Sequence, residues 1–475
     1  MIVTAPTIQT TRYRLAQHYL GKLRAAAGAF RQGHENSAYG LTLFDRDWPQ
    51  IKQWQAWSAA RADQDTAAAS VCAEYPRAGA EILALRQSPQ ERIEWLETGL
   101  KAARLRGDRQ RELVQLYYLA LIYRDQKSKA AEEYASNAVN LARTLGDKGY
   151  VGRSLILLGE INRVSNNYPA AQSFLEEGLA VLLEAGTRVD LGLAYRGLGL
   201  LAWVRGDWLH SRDYQIQSLA IATELGREVE ACNALVDLSL PTWVLGDLSG
   251  ARAYLEQCIA RCRAIGYHRV LALSLNILAQ SDEELGHMAE ARQHYEEAIA
   301  IGRTMGILWD MSSALRNYGD LLYKMGDYAA ALKHLEESLV LARAQSNRSN
   351  IAVSLSILVE VYGKLGDLDR SRRNLREGLM IIRDLNVPLR KAHMIMTAIG
   401  LWQEMGKAEQ AVEWLGRLLN LPDLPQQEQS VVQNLRERFE SELGEEHITA
   451  AIDRGKTLNL DDVIAAVLAE LGATE

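Results

Sequence analysis

The sequence predicts an all-α fold: a right-handed superhelical solenoid of 40-residue helical hairpins with helical caps. Three observations carry that prediction. The first is a period. From Gly326, steps of forty residues land on Gly286, Gly246, Gly206 and Asn166 in one direction, and on Gly366 and Gly406 in the other. The second is an echo of that series, offset by twenty: Gly146, Gly186, Gly226, Gly266, Gly306, Ser346 and Asn386. The third is helical spacing between the breaks. Leu315, Tyr318, Gly319 and Leu322 share one side of a helix, and Ala331, Leu335, Ser338 and Ala342 share one side of the next. Self-similarity at a fixed period identifies a stack of repeated units.

Each element follows from local chemistry. Gly or Asn takes the left-handed conformation that ends many helices. Asp207, Asp247, Asp327 and Asp367 follow the first series, where a short carboxylate caps the next helix. Each half-period then holds one helix of about 16–17 residues, roughly 25 Å long. In the first helix of a unit a small residue recurs as Gly159, Gly199, Ser239, Ala279 and Gly319, where two helices must approach closely. The second helices bury a stripe that begins at Ala171, Ala251, Ala291, Ala331 and Ala411.

The run "NYGDLLYKMGDYAAALKHLEESL", with small residues at Gly319 and Ala331, resembles a tetratricopeptide (TPR) repeat. Its Gly-Asp-aromatic turn favours TPR over HEAT or armadillo units, whose periods are also near forty. Each unit is six residues longer than the family's 34-residue consensus, close to one extra turn per helix.

The repeat array spans residues 88–421, between an N-terminal helical cap (1–87) and a C-terminal helical cap (422–475). An imperfect unit opens the array over 88–130, with Gly107 displaced by one position, and Pro422 and Pro425 close it. "SVVQNLRERFESELGEEHITAAIDRGKTLNLDDVIAAVLAEL" then reads as three more helices. Polar-faced terminal units are what an open stack requires. The segments "HYLGKLRAA", "LTLFDRDWPQIKQWQAWSAA" and "CAEYPRAGAEILALRQSPQERIEWLETGLKAARLRGD", with the closing "LGEEHITAAIDRGKTLNLDDVIAAVLAEL", resemble the helical sensor region of bacterial STAND-type signalling NTPases. The resemblance covers roughly 11–475, and the chain begins where that sensor region would begin, without the NTPase. It implies a role in signalling or defence.

Bulk composition is consistent with this reading. Hydrophobic residues make up 48% of the 475, enough to bury a continuous core. The formal charge of −7 and a pI near 5.8 argue against general nucleic-acid binding. The N-terminus lacks a cationic start with an apolar run, and no apolar run approaches the length of a membrane span. Four cysteines in so long a chain do not make a disulfide framework, so a reduced, cytoplasmic protein is expected.

The motifs that hint at chemistry are weak. "RGKT" (454–457) ends like a phosphate loop, but position 450 is alanine and a helix precedes it, so a polar turn is expected. Cys258 and Cys262 lie one helical turn apart, as metal ligands can, yet no histidine or further cysteine is near in sequence. They read as core cysteines. "DEE" (282–284) reads as a solvated face. No catalytic residue, cofactor or metal is expected.

The architecture instead points to recognition. The first helices of TPR units line a concave wall. The positions there that leave the buried stripe are Glu160, Arg163, Arg196, Trp203, Asn233, Trp243, Asn276, Gln280, Glu283, Arg316, Asp320 and Tyr323. Trp203 and Trp243 occupy one place in successive repeats, and Tyr323 the same place two units on. Aromatics and arginine are the residues that anchor interfaces, and amides suit a peptide backbone. The expectation is a non-catalytic sensor or adaptor holding a protein or peptide in the groove between about residues 153 and 325. The alternative is a scaffold that assembles a complex through its convex face or its caps.

Overall fold

The structure is a computed structural model that describes residues 8–33, 35–126, 128–185, 188–306, 308–384, 387–422, 424 and 426–472. Of the positions singled out above, Gly186, Asn386 and Pro425 lie outside the described residues. Among those described there are 24 α-helices and no strand. Two compact units divide the chain, Met1–Ser274 and Leu275–Glu475.

The first unit opens with α1 (Ile8–Arg31), α2 (Glu35–Ala59), α3 (Thr66–Ala78) and α4 (Ala80–Arg86). The array begins at α5 (Pro89–Leu105), followed by α6 (Arg109–Asp125), α7 (Ala130–Leu145), α8 (Lys148–Val164), α9 (Tyr168–Ala185), α10 (Arg188–Val204), α11 (Trp208–Glu224), α12 (Glu228–Val244) and α13 (Leu248–Ile265). The unit boundary falls inside α14 (His268–Glu284). The second unit continues with α15 (Met288–Met305), α16 (Leu308–Lys324), α17 (Tyr328–Ala344), α18 (Arg348–Lys364), α19 (Leu368–Arg383), α20 (Pro388–Glu404) and α21 (Ala408–Leu419). It closes with α22 (Gln426–Leu443), α23 (Glu445–Gly455) and α24 (Leu460–Gly472).

First helices of the hairpins start at 148, 188, 228, 268, 308, 348 and 388, a spacing of forty. The break residues take positive φ, including the non-glycine Asn166 (61°) and Ser346 (53°). Aspartates follow the breaks and cap: Asp207 Oδ1 accepts from the His210 amide, Asp247 from Gly250, Asp327 from Ala330 and Asp367 from Arg370. Asp108, Asp147 and Asn347 cap in the same way.

Packing within a hairpin explains the small residues. A Cβ on Gly159 would lie 2.6 Å from Leu175 Cγ, and one on Gly319 the same 2.6 Å from Leu335 Cγ. The leucine of the second helix fills the space that the missing side chain leaves. In each unit, first helices also pack on the first helices of the next repeat, α8 on α10 and α10 on α12, then α16 on α18 and α18 on α20. Within each unit they form the inner row.

The terminal helices do more than close the ends. In the first unit α3 packs on α1 and α5, with the buried Tyr75 hydroxyl donating to Ala16 O at 2.8 Å. The α1–α2 turn reaches the α11–α12 turn, where a Cβ on Gly33 would stand 2.6 Å from Gly226 O. Arg227 Nη2 donates to Glu81 at 2.7 Å, and α2 touches α13. The N-terminal helices therefore lie along the starts of several inner helices. In the second unit α24 folds back on α19 and α20, where Lys391 Nζ pairs with Asp461 at 2.5 Å. Trp402, Trp414, Phe439, Ile464 and Val467 share one core there. The "RGKT" segment runs from the end of α23 into the turn at Lys456 and Thr457, and Gly455 sits so close to α21 that a Cβ would overlap the Glu413 carbonyl oxygen.

Candidate functional site

The inner wall is built separately in each unit. In the first, Arg124 pairs with Glu160, Arg153 Nε with Asp190 at 2.7 Å, and Arg196 Nε with Asp237 at 2.6 Å. Each pair joins the first helices of adjacent repeats. Glu160 is buried, and Arg163 is half-buried between Glu160 and Arg196, with burial holding its guanidinium below the usual arginine range. Asn233 accepts from the Tyr267 hydroxyl at 3.5 Å. Arg196, Arg227, Glu230 and Asn233 edge a cavity of about 30 Å³ floored by Val189, Leu193 and Ile221.

Trp203 and Trp243 are half-buried at the far ends of α10 and α12. The Trp203 ring meets Trp208, the first residue of the following helix, edge to face at 5.4 Å. Tyr323 meets Tyr328 in the equivalent place at 5.8 Å. Part of each aromatic surface is thus spent on its own hairpin, and the remainder faces out.

In the second unit the wall is a ladder of amides. Asn317 Nδ2 donates to Asn276 Oδ1 at 3.0 Å. Arg316 bonds Asn317 Oδ1 through Nε at 3.1 Å and through Nη2 at 2.8 Å, and bonds Asn350 Oδ1 through Nη1. Asn350 donates to Ser312 Oγ at 2.5 Å. Asn276 is buried, while Arg316 and Asn317 are half-buried. Burial, with Arg390 nearby, lowers the Arg316 guanidinium to about 10. Its hydrogen bonds end on neutral amides, while Asp320, one turn along the helix, acts on it through charge. Gln280 donates to its own helix at Asn276 O, 3.3 Å away. Lys324 joins Asp320 (2.7 Å) and Glu283 (3.2 Å), and the Tyr295 hydroxyl donates to Glu283 at 2.5 Å. Burial raises the Glu283 carboxyl above the usual range.

The wall thus brings Glu160, Arg163 and Arg196 together in the first unit; in the second, Asn317 joins Asn276 to Arg316, Lys324 joins Asp320 to Glu283, Gln280 bonds its own helix and Tyr323 meets Tyr328. Sequence reasoning missed the partners Arg124, Arg153, Asp190, Asp237, Asn317 and Asn350. For Asp237 and Asn317 the signal was present as complementary groups about one period apart, 196 with 237 and 276 with 317, as also 283 with 324 and 364 with 404; the other partners pair at offsets of 34, 36 and 37. It also missed Cys232, whose sulfur lies with those of Cys258 and Cys262 within 4.8 Å of one another. Among the described residues no helix is long and apolar enough to cross a membrane.

No curated protein matches the chain. Among solved structures, a Rap protein complexed with competence and sporulation factor is 13% identical, with a TM-score of 0.53 over 78% of this chain and 99% of that one. The apo quorum sensor NprR from B. thuringiensis is 17% identical, with a TM-score of 0.51 over 78% of this chain and 99% of its own. A STAND ATPase with a tetratricopeptide repeat sensor, from Pyrococcus horikoshii, is 12% identical with a TM-score of 0.52, over 83% of this chain and 55% of that protein. At these identities the likeness is one of fold, an all-helical TPR-like solenoid. The family described as the MalT-like TPR region matches residues 230–474, more than half of the sequence. This chain belongs to the family of MalT-like TPR regions.

Proposed function

We propose that the chain is a non-catalytic sensor or adaptor that binds a peptide or an extended protein segment on the inner wall of its second unit. The observation that carries this reading is Arg316. It is a half-buried cation whose hydrogen bonds go to Asn317 and Asn350, set in a row of amides that begins at Asn276. Amide side chains offer a donor and an acceptor each, which is what an extended backbone needs. An arginine hydrogen-bonded only to neutral groups retains its charge for a partner carboxylate, where a charge-assisted pair is strongest. Tyr323 supplies apolar surface two turns further along. The quorum sensor and the STAND sensor to which the fold is similar are consistent with a sensing role. A signalling or defence setting within a reduced cytoplasm is part of the same reading.

The test is selection of linear peptides from a random library against the full chain. Affinity is then measured for peptides with a free and with an amidated C-terminus, and against Arg316→Ala. Selected peptides whose binding is unchanged by Arg316→Ala and by charge removal would defeat the proposal. Partners that bind only through the outer helices or the termini would favour the scaffold reading.

A further inference from the structure

Three of the four cysteines in 475 residues meet at one point. Cys232 comes from α12, and Cys258 and Cys262 from successive turns of α13. All three are fully buried, their sulfurs lie within 4.8 Å of one another, and Cys258 and Cys262 are 3.8 Å apart. We propose that this cluster is a binding site for a soft, thiophilic ion held by three sulfurs in a trigonal arrangement.

The other repeats show what packing alone requires. Ser218 donates to Gly192 O and Ser338 to Ser312 O, as Cys258 does to Cys232 O. A small polar group at that position therefore serves the close crossing of the two helices in several hairpins. Nothing in that role calls for sulfur. The place of Cys232 is held by Gly192 and Ser312, and the place of Cys262 by Ala222 and Ala342. Thiols at all three corners occur in this hairpin alone among the hairpins compared.

The geometry suits three-coordination. Ligand–sulfur bonds of about 2.3 Å in a trigonal plane separate the sulfurs by about 4 Å, so the corners need to close by less than 1 Å. Thiolate donors select soft ions such as monovalent copper. Among the described residues no histidine or carboxylate joins the group as a fourth ligand, which distinguishes it from the tetrahedral sites that zinc prefers. Ser274 Oγ donates to Cys258 Sγ at 3.2 Å, an outer hydrogen bond that steadies a thiolate.

Two sources share this chemistry. Cu(I) held by three thiolates leaves excess negative charge in a dry site. Arsenite leaves none. Three As–O bonds are replaced by three As–S bonds, each thiol proton departs with a hydroxyl as water, and no electron is transferred.

The test uses the full-length chain, reduced and refolded without oxygen, so that burial does not block entry. One arm contains bicinchoninate-bound Cu(I), one arsenite and one Zn²⁺. The controls are the residues that other repeats already carry: Cys232→Ser, Cys258→Ser and Cys262→Ala, with Cys72→Ser as the bystander. The expected result is one equivalent of Cu(I) or arsenite with three sulfur neighbours by X-ray absorption, and a raised Tm. Each cluster variant should bind roughly 100-fold more weakly or worse, and Cys72→Ser should bind normally. Copper alone, or arsenite alone, identifies which source the pocket accepts. No binding in either arm, equal binding by the cluster variants, or preferential four-coordinate zinc overturns the proposal.

Discussion

Arg196 reaches from the first helix of one repeat to Asp237 in the first helix of the next, Nε to carboxylate at 2.6 Å. Side-chain exposure is 24% for the arginine and 13% for the aspartate, so the pair is largely shielded from water. Truncating one partner leaves the other charge poorly solvated. We predict that Arg196→Ala lowers stability by about 1–3 kcal/mol. Urea unfolding of Arg196→Ala, Asp237→Asn and the double variant forms the cycle. A coupling energy near zero would show that the pair contributes nothing between repeats.

Arg316 and Trp203 separate contact from packing. Arg316→Ala should weaken a selected peptide at least tenfold, about 1.4 kcal/mol. Lys333→Ala and Glu337→Ala, on a second helix, should change affinity little. Glu337 pairs with Arg303 at 2.7 Å, but both are substantially exposed, so its removal has a small effect on folding. Trp203 meets Trp208 edge to face and belongs to the first unit, so Trp203→Ala should cost packing and leave the affinity of a peptide on the second unit's wall little changed. Circular dichroism together with affinity distinguishes the two roles: lost helicity marks a packing residue, whereas lost affinity with intact helicity marks a contact.

Acid stability has a local handle at Glu296. Its carboxylate accepts from the Tyr318 hydroxyl at 2.6 Å and from Arg292 Nε at 3.0 Å. The Tyr318 hydrogen bond, ahead of the Arg292 contribution, holds the Glu296 carboxyl below its ordinary 4.5. A depressed folded pKa stabilises the fold above the unfolded value, and that stabilisation is lost as pH falls through the folded value. Tyr318→Phe should therefore cost about 0.5 kcal/mol at pH 7, with the deficit fading as pH falls below the ordinary 4.5 and through the depressed folded value. The expected size is small because Glu296 is about half exposed. A deficit that persists unchanged at low pH would assign the loss to packing rather than to charge.

The period was legible because glycine, asparagine and aspartate at helix ends obey local rules, and Asn166, Gly326 and Asp327 each needed only their own neighbours. The inner wall was legible as a set of positions but not as a set of partners. Asp237 is invisible beside Arg196 in sequence, and appears only when the chain is folded back on itself by one repeat. On the outer face the same logic runs at a shorter offset, joining Arg143 to Glu177, Arg303 to Glu337 and Arg343 to Glu377. Cys232 escaped notice for a similar reason, since it is 26 residues from Cys258 and contributes from the opposite helix of the hairpin. The placement of α1–α4 was beyond local rules altogether. Gly33 looks like any helix-ending glycine until Gly226 is beside it.

That last contact yields a prediction with its own control. Gly33 has a φ of +74°, and a Cβ there would stand 2.6 Å from Gly226 O and 2.9 Å from Gly226 Cα. Both are backbone atoms that cannot rotate aside. Gly107 has a similar φ of +64° with nothing within 4 Å of its Cβ position. Alanine at either site incurs the left-handed penalty of roughly 1–2 kcal/mol. Only Gly33→Ala adds the clash, about 1–3 kcal/mol more, and it falls on the contact that holds the α1–α2 turn against the α11–α12 turn. Hydrogen exchange should therefore quicken throughout α1 and α2 in Gly33→Ala, with the Arg227–Glu81 bridge weakened alongside, and should stay near wild type there in Gly107→Ala. If both variants exchange alike in these helices, the close approach of the two turns does not hold the N-terminal helices in place, and the packing of α3 on α5, the α2–α13 contact and the Arg227–Glu81 bridge do so instead.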